Sequence, residues 1–298
     1  MKKIFYLAAA MSIAMFVSCE EKGGEENTKE PEAQKVTVAE DALVLYLPFE
    51  DGSVAVGEGV TFDKKVGAGE FAANGFIGKC YTNPSETNTV EAYLKYNLAA
   101  TNFVKDLGSF TFSAWVNKPE TDKGAVVSIN GGGTDWPRLI FHFDNVNTET
   151  GAQDFNARID VTVGEENPAL WPNLGDLAFS TTNKWMQVVR TYDAETSIMK
   201  IYVDGVQVGA DIPFTFGADA DGNALPLGEM KIATETMDAL FIGAWSSWVG
   251  PAEGDAAGGD WQSTYFRGSI DELRFYKRAL TDEEVAQLNR EERLINLE

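Results

Sequence analysis

The sequence predicts an all-β domain, either a two-sheet sandwich or a barrel, with one short helix near its end. Short runs of alternating apolar and polar residues follow one another from Ala42 onward, and Gly, Asn, Asp and Pro bound them. The pair Asp204-Gly205 separates two of these runs, as expected of a hairpin turn whose two central residues need positive φ. Many strands and one helix indicate a single domain over roughly residues 41–298.

The alternating and apolar runs give the predicted strands in chain order. They are residues 43–49, 110–116, 125–129, 139–143, 157–163, 185–192, 198–203, 240–244 and 265–276. Three stretches, at about 144–183, 211–238 and 245–263, interrupt this rhythm and are rich in Gly, Asp, Asn and Pro. Long loops inside a compact domain are usually functional or disordered, so we expect function in these stretches.

One helix is predicted after the last strand. Thr281 can cap it, and Glu284 lies three residues later, which together form a capping box. Val285 and Leu288 share one face of that helix and would pack against the sheets.

The first 18 residues are predicted to be a signal peptide and not part of the fold. Lys2 and Lys3 precede an apolar run over residues 4–17, which is shorter than the about 20 residues that span a bilayer. Ser18-Cys19 after this run resembles the lipobox of bacterial lipoproteins, although Phe16 stands where that motif usually has Leu. The resemblance implies that Cys19 is lipidated and becomes the first mature residue. The alternative is an ordinary secretory signal in which Cys19 has no role.

Residues 19–40 are predicted to be a flexible acidic tether. They contain seven glutamates after Cys19 and few large apolar residues, so they cannot bury enough surface to fold. Acids directly after the cysteine resemble surface-export signals of some Gram-negative lipoproteins, which implies an outer-membrane or cell-surface lipoprotein. A solvated spacer is the alternative interpretation. The predicted membrane attachment is the lipid anchor only.

Composition excludes several classes of function. The chain has 46 acidic and 24 basic residues and a formal net charge of −22, so it lacks the basic surface that non-specific nucleic-acid binding requires. One histidine excludes a His-rich zinc site, and two cysteines exclude a framework of several disulfides. Such acidity suits an exported protein or one that binds hard cations.

Four segments carry a family resemblance. Residues 185–209 (WMQVVRTYDAETSIMKIYVDGVQVG) resemble the central hairpin pair of laminin-G-like, concanavalin A-like jelly rolls, and residues 266–288 (FRGSIDELRFYKRALTDEEVAQL) resemble their closing strand and final helical turn. Residues 45–53 and 110–117 occupy the places of the opening strand and a core strand. The resemblance implies a two-sheet antiparallel jelly-roll sandwich. It does not fix a function, since relatives include sugar binders, adhesion modules, hydrolases and spacers.

A carboxylate pair for glycoside hydrolysis is not found in the sequence. Glucanases with this fold carry E-x-D-x-x-E or E-x-D-x-E on one strand, which places the acids on one face. Asp271 and Glu272 are adjacent instead, so a regular strand would point them to opposite faces. Cys80 lacks any activating pattern, and His142 lies in an apolar strand, where we expect a hydrogen-bonded structural role. We therefore predict no catalytic residues and no enzyme.

The closing strand contains a change of phase that indicates a β-bulge. Ile270 and Leu273 belong to different alternation phases, and the break falls at Asp271-Glu272. In similar jelly rolls the Asp of this motif joins acids near the first strand around a structural calcium, which implies Asp271 with Glu50 or Asp51. The usual Asp-rich loop after the first strand is absent here. The alternative is that Asp271 pairs with Arg267 or Arg274, or accepts backbone hydrogen bonds.

Aromatic residues in the loops are the candidate ligand surface. Trp115 and Trp185 lie within strong strands and are predicted to be core. The other tryptophans lie in or beside the Gly-, Pro- and Asp-rich stretches: Trp136, Trp171, Trp245, Trp248 and Trp261. Asp135 and Arg138 flank Trp136 and could bond sugar hydroxyls at its rim. Glycan modules use such exposed rings, but the same tryptophans could instead hold long loops in place, and a protein partner would use the same aromatic residues.

These observations lead to one expected function and two alternatives. We expect a lipid-anchored, cell-surface module that binds carbohydrate and does not catalyse a reaction. A protein-interaction or adhesion module is the first alternative, and an atypical glycoside hydrolase is the second. The expected partner is thus a glycan or a surface protein, and the only expected cofactor is structural calcium.

Overall fold

The structure is a computed structural model of the full chain that describes residues 35–297. Residues 106, 120–122, 131–135, 147–152, 164, 167, 173–183, 233–236 and 254–263 are not described. The predictions for Cys19, the signal peptide, most of the tether, Asp135 and Trp261 therefore lie outside the described residues.

Strands make up most of the described chain. They are β1 (Leu43–Leu47), β2 (Val56–Gly57), β3 (Val60–Gly67), β4 (Glu70–Ala72), β5 (Cys80–Asn83), β6 (Ala92–Leu98), β7 (Phe110–Asn117), β8 (Gly124–Ile129), β9 (Leu139–Val146), β10 (Gln153–Asp160), β11 (Ala169–Leu170), β12 (Met186–Asp193), β13 (Ile198–Val203), β14 (Val206–Pro213), β15 (Thr215–Ala218), β16 (Ala224–Pro226), β17 (Ala239–Ile242) and β18 (Gly268–Tyr276). The described helices are α1 (Ser246–Glu253) and α2 (Asp282–Asn296).

These strands form two large antiparallel sheets. Sheet A has the order β14-β13-β12-β7-β18-β1-β2, with β5 beside β18 and β4 beside β5. Sheet B has the order β11-β10-β9-β8-β17-β6-β3, and β15 and β16 form a separate hairpin. Each sheet combines consecutive strands, such as β12, β13 and β14, with neighbours that are distant in sequence, such as β7 and β18, as in the jelly-roll sandwich that the sequence predicted. The predicted fold class is confirmed.

The main core lies between the two sheets. Phe112 of β7, Phe141 of β9 and Phe275 of β18 are fully buried there, and the Phe112 and Phe141 ring centroids are 4.4 Å apart. The alternation in β7 sends Trp115 to the other face of sheet A, where its ring is also fully buried. The period-two pattern thus correctly predicted which residues of β7 face the core.

Two local predictions are confirmed by backbone geometry. Asp204 and Gly205 have φ values of 51° and 80°, as a tight hairpin between β13 and β14 requires. The register of β18 against β7 shifts between Asp271 and Arg274, and Glu272 has a φ of 50°. The bulge therefore lies where the phase change predicted it, and it places one residue in a conformation that side chains disfavour.

Helix α2 covers the outer face of sheet A. Thr281 accepts a hydrogen bond from the Glu284 backbone, and the Glu284 side chain accepts one from the Thr281 backbone, so the predicted capping box is present. Val285 and Leu288 pack on Tyr276 in a second apolar cluster outside the main core. This packing fixes the helix on the sheet.

The folded body begins earlier than residue 41. Val38 is buried in the apolar cluster beneath α2. Thr37 donates two hydrogen bonds to the Glu291 carboxylate, from its backbone nitrogen at 2.6 Å and from its hydroxyl at 2.8 Å. The end of the predicted tether is therefore packed on the domain, because Val36 and Val38 supply apolar side chains that the acidic residues before them lack.

Helix α1 lies in a stretch for which the sequence predicted a loop. The sequence Ser-Ser-Trp-Val-Gly-Pro-Ala-Glu has low helix propensity, since Gly250 and Pro251 both disfavour helix interiors. Packing forms it instead, as Trp248 and Val249 contact apolar residues on the outer face of sheet B. The hairpin of β15 and β16 likewise replaces part of the loop predicted at 211–238.

Candidate functional site

The outer face of sheet B, turned away from the core, carries the candidate site. On β10, Phe155, Ala157 and Ile159 belong to the core, so the alternating residues Asn156, Arg158 and Asp160 point outward. This polar row lies beside tryptophans from the flanking loops. Polar groups beside aromatic rings are common in the binding sites of proteins.

Two of the predicted tryptophans lie together at one end of this face. The ring centroids of Trp136 and Trp171 are 5.1 Å apart, and the ring planes are 89° apart. Trp171 is 44% exposed, whereas Trp136 is half-buried. The guanidinium carbon of Arg158 lies 4.8 Å from the Trp136 ring centroid and 5.4 Å from that of Trp171. Cation–π attraction to both rings therefore holds this tryptophan pair in place.

Three charged side chains lie beside the tryptophan pair, and two of them, Arg158 and Asp160, are buried. Asp160 lies 2.8 Å from the Arg158 guanidinium and 3.1 Å from that of Arg138. Burial raises the pKa of Asp160, and the two arginines oppose that shift. Arg158 also donates to the carbonyl of Pro137. The Nε of Arg138 has no hydrogen-bond partner among the described residues, but this atom is buried and a ligand at the surface does not reach it.

The sequence missed Arg158 and Asp160 as site residues. Their signal was present in the alternation of Asn156, Arg158 and Asp160 with apolar residues, which places three polar groups on one face of a strand. The sequence did not indicate that this strand would lie beside Trp136 and Trp171, since the pairing of β9 with β10 joins residues of two different runs.

Trp245 is only 3% exposed and does not offer a ring face to solvent. Its ring centroid lies 4.6 Å from that of His142, and it packs on Ala125 and Ile140 of the sheet. Trp248 is half-buried and packs beside it through α1. The expectation that Trp245 stacks on a ligand is therefore corrected: helix α1 folds over this part of the sheet and buries the ring.

His142 is buried without the hydrogen-bond partner that we expected. Neither ring nitrogen has a partner among the described residues, and neither does the Oδ1 of Asn156, which pairs with His142 across β9 and β10. Burial lowers the pKa of His142 to about 4, so the ring is neutral at pH 7.

Two buried carboxylates outside this face, Glu272 and Glu292, pair with one arginine and do not resemble a hydrolytic pair. Arg274 pairs with both Glu272 and Glu292 beneath α2, and both acids are buried. Arg274 holds both acids in a site that is buried from solvent, whereas hydrolysis needs one protonated acid and one free base or nucleophile beside the substrate. Burial raises the pKa of Cys80 to about 11, so its thiol is not activated.

Two of the three residues proposed for calcium, Asp271 and Glu50, meet at the turn at 75–79, and Asp51 does not. Asp271 accepts hydrogen bonds from the backbone nitrogens of Ile77 at 2.9 Å and Glu272 at 2.8 Å, and Glu50 accepts one from Lys79 at 3.2 Å. Asp51 is exposed and bonded to Ser53. Within the described residues, no three His, Cys, Asp or Glu side chains lie close enough to form a metal site by themselves.

The surroundings of Asp271 fit a cation in part. Arg267 and Arg274 have other partners, the Glu86 carbonyl for Arg267 and the two glutamates for Arg274. Burial, followed by the charge of Glu272, raises the pKa of Asp271 to about 9. Asp271 is thus a buried carboxylate held by backbone groups. Calcium there would need carbonyl oxygens from the turn at 75–79 to complete its ligands.

Comparison with known proteins places the chain among jelly rolls. The family model described as the concanavalin A-like lectin/glucanases superfamily matches residues 88–244, which include the tryptophan pair and the polar row. No curated protein matches the chain.

Solved structures resemble the chain at low sequence identity. The botulinum neurotoxin serotype D binding domain is 13% identical over 84% of this chain and 52% of its own, with a TM-score of 0.49. A mutant of HCR/D is 13% identical over 85% and 52%, with a TM-score of 0.50. Domain 4 of the extracellular GH43 arabinanase AbnA from Geobacillus stearothermophilus, solved with arabinotriose, is 19% identical over 83% and 97%, with a TM-score of 0.43.

Such similarity concerns the fold alone. The chain spans about half the length of the toxin binding domain that it matches. Among the described residues, no helix has both the length and the apolar character needed to cross a bilayer.

Proposed function

Because the chain belongs to the concanavalin A-like lectin/glucanases superfamily, we propose that it is a binding module for carbohydrate and that it has no catalytic activity. The observation that carries this proposal is the pair of Trp136 and Trp171, braced by Arg158 on the outer face of sheet B. Superfamily membership alone does not decide between binding and hydrolysis, so the proposal rests on the site.

The chemistry of the pair suits a sugar ring. The exposed face of Trp171 can stack on the C–H face of a sugar. The Arg138 side chain is 20% exposed and can meet hydroxyl groups at the sugar's edge, whereas Asp160 is buried and holds Arg138 in place. Trp171 is rigid without a ligand, because Trp136 and Arg158 already contact it. Ordering the ring therefore subtracts little from the free energy of ligand binding.

The angle between the rings limits the kind of carbohydrate. Rings 89° apart cannot both lie flat against one plane, so the flat surface of a crystalline polysaccharide cannot contact Trp136 and Trp171 together. One sugar ring can stack on Trp171 while its edge meets Trp136. The proposed ligand is therefore a soluble glycan that is contacted mainly through a single sugar residue.

A glycan array tests this proposal. The probe is the chain from residue 20 onward, which retains every described residue. It is applied to the array and, in parallel, to crystalline cellulose and chitin. The proposal expects binding to defined soluble glycans and none to the crystalline polymers. Binding to crystalline cellulose or chitin, or the absence of any glycan ligand, would overturn it.

A protein-interaction or adhesion module is the second candidate. Tryptophan and arginine dominate the strongest contact residues of protein interfaces, and both types meet at the tryptophan pair. The array separates the two candidates, since a protein ligand leaves the glycan spots empty. Turnover of a polysaccharide during the same incubation would instead support an atypical glycoside hydrolase.

We further propose that the chain is exported and anchored by lipid at Cys19 to the outer membrane or cell surface of a Gram-negative bacterium. The support is the charged start, the short apolar run and the Ser-Cys pair in the sequence. The acidic segment that follows would hold the domain away from the membrane.

A structural calcium at Asp271 and Glu50 remains a proposal. Both carboxylates hold the turn at 75–79, and Asp271 has no arginine partner among the described residues. A bound cation would neutralise the buried carboxylate and tie the turn to β18.

A further inference from the structure

Arg190 is an arginine inside the core between the sheets. It lies on β12 between Val188 and Tyr192, which both face the core, so its side chain takes the same direction. It is fully buried. Burying a charged side chain costs free energy unless hydrogen bonds or an opposite charge offset the loss of water. The contacts of Arg190 should therefore show what offsets this cost.

The contacts of Arg190 cross from sheet A to sheet B. Its guanidinium donates to the carbonyl of Phe155 on β10 and, at 3.2 Å, to the carbonyl of Pro172. Its central carbon lies 5.3 Å from the Phe155 ring centroid. Within the described part of the chain it forms no ion pair with a carboxylate. Burial lowers the pKa of Arg190 to about 9, so it carries its charge at neutral pH.

Both acceptors lie where the edge of sheet B loses its regular pairing. Strand β11 pairs with β10 through only two residue pairs, Ile159 with Leu170 and Asp160 with Ala169. Trp171 and Pro172, the described residues that follow Leu170, therefore receive no further hydrogen bonds from the ladder. Pro172 follows directly after Trp171, and its carbonyl is held by Arg190 instead.

We propose that Arg190 is a positioning residue for the candidate site: from the opposite sheet it holds the segment that carries Trp171, and so keeps that ring against Trp136. Two contacts then fix Trp171 from opposite sides. Arg158 and Trp136 hold the ring from the outside, and Arg190 holds the backbone of the next residue from the inside. The ring position does not depend on the proposed function, whereas the effect on ligand affinity does.

A purely structural role makes a different prediction from a positioning role. If Arg190 only supported the core, its replacement would loosen the whole domain. If it positions Trp171, replacement with an apolar side chain of similar length removes two hydrogen bonds at the edge of sheet B. It also removes the buried charge, so the overall stability should change little. A structural role therefore predicts a loss of stability of the whole domain, whereas a positioning role predicts a local change at Trp171.

The test compares Arg190→Met with Val188→Ala in the full mature chain. Val188 faces the core from the same strand and, as an apolar side chain, donates no hydrogen bond to the Pro172 carbonyl, so its truncation weakens the core and leaves that hydrogen bond in place. Oxidative footprinting by mass spectrometry measures the reactivity of each tryptophan, with the half-buried Trp185 as internal reference, and thermal unfolding measures stability. Arg190→Lys keeps one donor for the two carbonyls and serves as the variant that retains a charge.

The proposal expects a local change at Trp171. In Arg190→Met its oxidation rate should rise by about twofold, the ceiling for a ring that is already 44% exposed. Trp185 should stay unchanged, and the melting temperature should fall less than in Val188→Ala. Arg190→Lys should lie between wild type and Arg190→Met. Equal oxidation of Trp171 in wild type, Arg190→Met and Arg190→Lys would overturn the proposal, and so would a parallel rise at Trp185 and Trp171 in both Arg190→Met and Val188→Ala.

Failure of the proposed function can be told apart from failure of this inference. The footprinting experiment needs no ligand, so it tests the position of Trp171 even if the wild-type protein binds no glycan. If wild type binds a glycan from the array, Arg190→Met should weaken that binding on the order of tenfold, as expected when a stacking ring is lost from its place. Wild-type affinity together with a mobile Trp171 would reject the link between Arg190 and the site.

Discussion

Arg274 of β18 donates to Glu292 of α2, and this ion pair lies buried between sheet A and the helix that covers it. The second carboxylate oxygen of Glu292 accepts hydrogen bonds from the Trp115 indole at 2.6 Å and the Gln187 amide at 2.7 Å. Glu272, on the bulge of β18, pairs with the same Arg274. Glu292 of α2 thus accepts hydrogen bonds from β7, β12 and β18, and Arg274 links this network to the bulge.

Truncating Glu292 should therefore destabilise the whole domain. Glu292→Ala leaves the Trp115 and Gln187 donors without an acceptor and Arg274 with one carboxylate fewer, so it should cost roughly 3–5 kcal/mol of unfolding free energy. Chemical denaturation measures this loss. Glu283→Ala, on an exposed position of the same helix, is the control and should change stability by less than about 0.5 kcal/mol. Equal stabilities of the two variants would contradict the account of this network.

Stability should fall as the pH drops through the range in which free histidine titrates. Burial lowers the pKa of His142 to about 4 from its usual value of 6.5, so between these values the unfolded chain binds a proton that the folded chain does not. His142 is the single histidine, and the loss between pH 6.5 and 5 should reach about 1.6 kcal/mol.

The variant His142→Phe isolates this contribution, since it keeps a ring against Trp245 and removes the titration. Denaturation of both proteins at pH 5 and pH 6.5 should show a smaller pH effect in the variant. The carboxylates titrate in both proteins and cancel in the difference. An identical pH dependence would mean that His142 titrates normally in the folded state.

Calcium should stabilise the domain through Asp271. A cation that binds only the folded chain raises its melting temperature by mass action, so added calcium should raise it and a chelator should lower it. Asp271→Asn should abolish this response. Glu50→Gln should weaken it more than Asp51→Asn, because Glu50 holds the same turn as Asp271 whereas Asp51 is bonded to Ser53. A melting curve that calcium and chelator leave unchanged would exclude the site.

Loss of the cysteine at position 19 should release the protein from membranes. Cys19→Ala removes the only predicted attachment, so the chain should move from the membrane fraction to the soluble fraction. Fractionation and metabolic labelling with a fatty acid measure this directly. Ser18→Ala keeps a small residue before the cysteine and should leave the anchor intact. A Cys19→Ala protein that stays in the membrane fraction would mean that another feature holds it there.

Local patterns predicted the parts of the fold that depend on neighbouring residues. The capping box of Thr281 and Glu284, the turn at Asp204-Gly205 and the bulge at Asp271-Glu272 each follow from residues a few positions apart, and each is present. The jelly-roll architecture followed from the resemblance of longer segments. Periodicity alone did not distinguish a sandwich from a barrel.

Helix α1, the burial of Trp245 and the contacts of the buried arginines depend on tertiary packing, and local sequence patterns did not predict them. Helix α1 forms because Trp248 and Val249 meet an apolar surface, and its own residues gave no helical signal. Trp245 follows an apolar strand in a loop-like sequence, yet α1 turns its ring onto His142. The contacts of Arg158 and Arg190 join strands of distant runs or of opposite sheets. No spacing within one segment encodes such contacts.

The most direct test of the central claim is the affinity of Trp171→Ala for a glycan selected on the array, measured by isothermal titration calorimetry. Trp185→Ala is the control, since it removes a tryptophan of another part of the fold, beside Phe76. The account predicts that Trp171→Ala loses about 1–3 kcal/mol of binding free energy, with little change in unfolding free energy, and that Trp185→Ala binds as wild type does. A Trp171→Ala protein with wild-type affinity would contradict the assignment of carbohydrate binding to the tryptophan pair.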